Sequence, residues 1–98
     1  MNYTDAISST KTVLVEFYAS WCPHCQHMMP VVDQIKTLLE GTSDVYQFEI
    51  DDNKQLAEQE NVQSIPTFIV YHNGREMWRH TGEITGELLL AKVQQNNR

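Results

Sequence analysis

The stretch TVLVEFYA, residues 12–19, limits the fold more than any other part of the chain. It is rich in β-branched and aromatic residues, and both alternating faces are apolar except at Glu16. Such a run reads as a strand that must be covered on both sides. Helices supply that cover. PHCQHMMPVVDQIKTLLE, residues 23–40, places Met28, Val31, Val32, Ile35, Leu38 and Leu39 at helical spacing. Pro23 suits the first turn of this helix. Pro30 falls inside it, where a kink is expected. Gly41 is placed to cap its end.

The remaining elements alternate. VYQFEID, residues 45–51, turns Tyr46, Phe48 and Ile50 to one face and Val45, Gln47 and Glu49 to the other, as a strand with one partly polar side does. A short helix follows, capped by Asp52 or Asn53. PTFIVYH and EMWRHTG are two strands joined by a hairpin turn at Asn73-Gly74. Thr85 caps the last helix, GELLLAKVQQ. Residues 3–10 suggest a small first helix. The order α-β-α-β-α-β-β-α implies an α/β fold with a mixed sheet, part parallel and part antiparallel.

Length and composition narrow the function. The 98 residues suit one domain, residues 1–98, and 41% hydrophobic with 20% charged residues is ordinary for a globular chain. A net charge of −6, with 7 Lys and Arg in total, speaks against nucleic acid and against an anionic membrane surface. No apolar run approaches the ~20 residues that cross a bilayer. The N-terminal residues do not read as a signal peptide, so the expected place is the cytoplasm; the alternative is an exported protein whose signal has been removed. The chain is expected to act as a monomer.

Both cysteines lie in ASWCPHC, three positions apart at a helix mouth. Residues i and i+3 share a helix face, close enough for a disulfide to form and open without rebuilding the fold. Cys22 precedes the first turn, where free N–H groups and the helix dipole favour a thiolate. A protonated His24 would add positive charge beside it. Cys25, one turn deeper, is better protected. The pair suits an exchange in which Cys22 attacks a substrate disulfide and Cys25 resolves the mixed disulfide, with no bound cofactor. The competing reading is half a zinc site, since CPHCQH offers four ligands in six residues. Four ligands from one and a half helical turns do not converge on a tetrahedron, and His72 and His80 lie far along the chain. No metal is therefore expected.

VEFYASWCPHC, Pro30, SIPT at 64–67, Asn73-Gly74 and TGE at 81–83 together resemble the thioredoxin family over nearly the whole chain. The resemblance implies a thioredoxin-like three-layer α/β/α sandwich and a thiol–disulfide oxidoreductase acting on other proteins. It implies an upstream redox partner as well, a reductase or an oxidase. It makes Pro66 a cis-proline beside the cysteines, with Trp21, Pro23, Ile65, Pro66 and Gly82 forming the substrate groove. Glu16 becomes the buried acid that assists proton transfer at Cys25. The alternatives are a non-catalytic binding module of the same fold and a metal carrier.

The chain departs from the family in three places. Pro23-His24 replaces the usual Gly-Pro, as in the bacterial periplasmic disulfide oxidase, and implies a more oxidising pair than in an ordinary thioredoxin. The acid is Glu16 rather than aspartate, and Gln47 stands where the family has a lysine, which leaves Glu16 unpaired. The residues given begin at about the family's first helix, so the expected sheet lacks the family's first strand and has four strands, with the strand at 45–51 at its edge.

Overall fold

The central strand β1, Thr12–Tyr18, is buried along its length except at Tyr18, as its two apolar faces require. We describe residues 2–97 from a computed structural model of the chain. The other elements are α1 (Tyr3–Ile7), α2 (Pro23–Leu39), β2 (Ser43–Glu49), a 3-10 turn (Ile50–Asp52), α3 (Lys54–Gln59), β3 (Thr67–His72), β4 (Arg75–Thr81) and α4 (Gly86–Gln95). The sheet order is β2-β1-β3-β4. β1 runs parallel to β2 and antiparallel to β3, and β3 pairs antiparallel with β4.

Helices cover both faces. On one, Leu14 of β1 and Phe68 and Val70 of β3 pack against Met28, Val32, Ile35 and Leu39 of α2 and Leu89 and Val93 of α4. On the other, Val13, Val15, Phe17, Ile69 and Tyr71 pack with Ala57 of α3, and Tyr3 and Ile7 of α1 close over them. This is the expected three-layer α/β/α arrangement. The alternation in β2 follows the sequence: Tyr46 and Phe48 join the second cluster, Val45 the first. β2 lies at the sheet edge.

Some boundaries move. Residues 50 and 51, expected in the strand, belong to the 3-10 turn. α1 ends at Ile7 instead of reaching residue 10. Pro30 lies inside α2, as expected, and the helix ends at Leu39. Glu40 caps the helix end, and Gly41 follows at φ +83°, a conformation open to glycine. Thr85 caps α4 by accepting from the Leu88 N–H.

Candidate active site

The end of β1, the start of α2 and the turn before β3 meet around the two cysteines. Ala19, Cys22 and Cys25 form a small buried cluster, with Tyr18, Ile50 and Ile65 packed against it. Both cysteines are free thiols.

Cys22 is the N-cap of α2, followed at once by Pro23, and is 7% exposed. Its pKa is lowered, first by the backbone N–H of Cys25, then by the Cys25 side chain and the backbone N–H of His24; loss of water and Glu83 oppose them. Cys22 makes no capping hydrogen bond with its side chain. The ionised sulfur is the form that the open N–H groups of the first turn favour. Cys25 is 1% exposed, and burial pushes its thiol up to about 12. The backbone N–H of Ala19 points at its sulfur from 3.5 Å. Two thiols one turn apart are thus driven in opposite directions, one by backbone dipoles and the other by loss of water.

Glu16 lies on the α2 side of β1 and is 2% exposed. Burial raises its pKa to about 7. The carboxylate is not unpaired as the sequence suggested. Gln47 stands opposite Glu16 in the parallel β1–β2 register and donates from Nε2 to Glu16 Oε1 at 2.9 Å. Lys36 Nζ of α2 in turn donates to Gln47 Oε1 at 3.3 Å. Burial raises the Glu16 pKa most, the Gln47 hydrogen bond lowers it, and the nearby Asp33 charge raises it.

The peptide bond Ile65-Pro66 is cis. Pro66 is buried, and its carbonyl accepts from the Gly82 N–H at 2.8 Å. This hydrogen bond brings the β4–α4 loop alongside the β3 turn. Trp21 is 62% exposed at the rim, and its indole N–H donates to Asp51 Oδ2 at 2.7 Å. Glu49 braces the same corner, accepting from the Ser20 N–H and the Asp51 N–H, both at 2.9 Å.

His24 behaves differently from the sequence expectation. Its ring is engaged by Glu83, with Nδ1 2.6 Å from Oε2, and His27 Nδ1 lies 3.1 Å from the same oxygen. The help that His24 gives Cys22 comes through its backbone N–H, because the ring is engaged by the acid. These hydrogen bonds, from His24 first and then His27, hold the Glu83 carboxyl below the usual range.

Sequence reasoning missed Glu83, Glu49 and Asp51. The run DDNK, from Asp51, reads in the chain as a solvated helix cap, whereas Asp51 tethers Trp21 across 30 positions of sequence. No local pattern announces such a contact. Glu83 lies inside TGE at 81–83, of which the resemblance singles out only Gly82.

The thioredoxin family model matches residues 1–95. The chain belongs to the thioredoxin family. It is 30% identical over 93 residues to a thioredoxin of Chlorobaculum thiosulfatiphilum, covering 95% of this chain and 86% of that one. It is 38% identical over 90 residues to a thioredoxin of Mycobacterium bovis, covering 92% and 78%. It spans about half the length (51%) of the chloroplastic thioredoxins Y of Oryza sativa and Y1 of Arabidopsis thaliana that it also matches. Among solved structures, a point mutant of a thioredoxin from Halobacterium salinarum superposes with a TM-score of 0.84 at 30% identity, over 97% of this chain and 82% of that one. Family membership supports a thiol–disulfide oxidoreductase function, and Cys22 and Cys25 are the residues spaced for it.

Proposed function

We propose that the chain exchanges disulfides with other proteins through Cys22 and Cys25, and that its couple is more oxidising than that of an ordinary thioredoxin. The observation that carries this reading is two free thiols one turn apart at the α2 mouth, Cys22 at the N-cap, where the backbone lowers its pKa, and Cys25 1% exposed behind it, where burial raises its own.

The Cys22 thiolate attacks one sulfur of a substrate disulfide. A Cys22–substrate bond forms and the other substrate sulfur leaves as a thiolate. Cys25 then loses its proton and attacks the Cys22 sulfur. The second substrate thiolate departs and a Cys22–Cys25 disulfide remains. The substrate gains two electrons and the pair loses two. Run backward, the same steps donate a disulfide.

Glu16, with a pKa of about 7, is partly ionised at neutral pH and can take the Cys25 proton. The negative charge on Cys22 contributes to the raised Cys25 pKa. Once that sulfur is tied up in the mixed disulfide, the contribution disappears and the second attack becomes easier. Trp21, Pro23, Ile65, Pro66 and Gly82 border the approach and offer a substrate peptide both apolar contact and open backbone.

A reductase or oxidase must reset the pair. One relative, from Mycobacterium leprae, is named a bifunctional thioredoxin reductase/thioredoxin, and it favours a reductase as the partner here.

Equilibration of the Cys22–Cys25 couple against glutathione tests the proposal. A potential between about −270 mV, as in thioredoxin, and about −120 mV, as in the strongest oxidants of this chemistry, is expected. A value at or below the lower figure removes the oxidising claim. Absence of insulin-disulfide turnover with a reductant supplied would leave only a binding module.

A further inference from the structure

Three side chains meet at the mouth of the dithiol without taking part in the exchange itself. His24 and His27 are one turn apart on α2, on a shared face, and Glu83 reaches them from the β4–α4 loop. We propose that His24, His27 and Glu83 form a binding site for a borderline divalent cation, zinc above all, next to the attacking cysteine.

The three ligand atoms already lie within 4.8 Å of one another. Both Nδ1 atoms face the same carboxylate oxygen, at 2.6 and 3.1 Å. Zinc bonds imidazole nitrogen and carboxylate oxygen at about 2.0–2.2 Å in a tetrahedron whose ligand atoms stand roughly 3.4 Å apart, so an ion entering the cluster opens the two nitrogen–oxygen pairs by under about 1 Å each. All three side chains are exposed, and that adjustment disturbs no packing.

The loop carrying the carboxylate is held in place. The Gly82 N–H is bound to the Pro66 carbonyl at 2.8 Å, and Gly82 adopts φ +103°. His80 Nε2 lies 3.2 Å from the Glu83 carbonyl oxygen and braces the next residue. The helix alone offers two imidazoles. The tertiary fold adds the third ligand, from a second element, which the sequence argument against a metal did not foresee.

Two imidazoles and one carboxylate suit zinc far better than calcium or magnesium, which want oxygen ligands throughout. Three protein ligands leave a fourth position for water. His24 follows Cys22 by two residues on the same helix mouth, where Cys22 is the N-cap. An ion bound there crowds the helix mouth two residues from the nucleophile and hinders substrate approach without changing any oxidation state. Its effect on turnover rests on the exchange function proposed above; its binding does not.

The experiment uses the untagged full chain and zinc chloride, followed by calorimetry. In the oxidised form the Cys22–Cys25 disulfide removes both sulfurs as ligands, so binding there reports the imidazole–carboxylate cluster. One equivalent is expected, with the His24 and His27 ring resonances moving on addition. His27→Ala and Glu83→Gln should each weaken binding by about tenfold or more, with melting curves confirming that both variants fold. Failure of the oxidised wild-type chain to bind zinc overturns the proposal, and so does undiminished affinity in His27→Ala.

In the reduced form, zinc should slow insulin-disulfide turnover reversibly. His27→Ala should turn over normally without zinc and need about tenfold more zinc for the same inhibition. Equal inhibition of this variant would put the ion on the cysteine pair alone and also defeat the proposal. If neither protein turns over insulin in the absence of zinc, the exchange function fails, and the oxidised-form titration still decides the site.

Discussion

Two glutamates flank the dithiol, one beneath it and one at its rim, and their surroundings drive them apart. Glu16 sits on the central strand at 2% exposure, and burial raises its pKa to about 7. Glu83 sits on a loop in water, and two histidines hold its carboxyl below the usual range. Each faces a different sulfur. Glu16 contributes to the raised Cys25 pKa, and Glu83 opposes the lowering at Cys22. A carboxyl's role here follows from its layer in the sandwich. The buried acid can hold or release a proton near neutrality, while the exposed one is a fixed charge that organises imidazoles.

Removing the sulfurs breaks this contrast most severely. Cys22→Ser should abolish turnover, because no thiolate remains at the helix mouth. Cys25→Ser should keep the first attack and accumulate a mixed disulfide with substrate, visible by mass on a non-reducing gel. Loss of both behaviours in Cys25→Ser, in a folded protein, would contradict the assignment of attacker and resolver.

The next effect is on stability. Glu16 has a folded pKa of about 7 against an ordinary value of 4.5, so the native state holds its proton more tightly than the unfolded chain. Its stabilising linkage is fully present below the unfolded value and is lost as pH rises through the folded one. Glu16→Gln should therefore be more stable than wild type by up to about 3 kcal/mol at pH 8, and the difference should close by about pH 4. Urea unfolding at both pH values measures it. A pH-independent difference would mean that Glu16 is not the titrating group.

Gln47→Lys should act more gently. A charge opposite Glu16 replaces a neutral donor and should bring the carboxyl down toward its ordinary range. Carboxyl carbon chemical shifts followed against pH report this, together with the pH dependence of the resolving step. Glu83→Gln should give the smallest change. It removes the acid that opposes Cys22 ionisation, so the midpoint of iodoacetamide alkylation at Cys22 should move to lower pH. Salt should shrink this exposed effect and leave that of Glu16 nearly intact. Equal salt sensitivity at the two sites would erase the distinction between floor and rim.

Much of this site could be read in the chain. The two cysteines, their order and their opposed environments follow from a helix start, because free N–H groups belong to any first turn and protection belongs to any second. Burial of Glu16 was legible from its apolar neighbours on both sides. The partners of the charged side chains were not. Gln47 meets Glu16 through strand register, Asp51 meets Trp21 across a turn, and Glu83 meets His24 and His27 across 59 and 56 positions. Such pairings depend on distances that sequence separation does not encode.

By itself the sequence determined the layers, the helix mouth and the pair of sulfurs, since hydrophobic period and backbone hydrogen bonding act over a few residues. The tertiary structure alone decided where the imidazole of His24 goes. A ring on the first turn has several directions open to it, and the Gly82–Pro66 hydrogen bond holds the loop that brings Glu83 within reach of it. A short, direct contact with a carboxylate then holds the ring there.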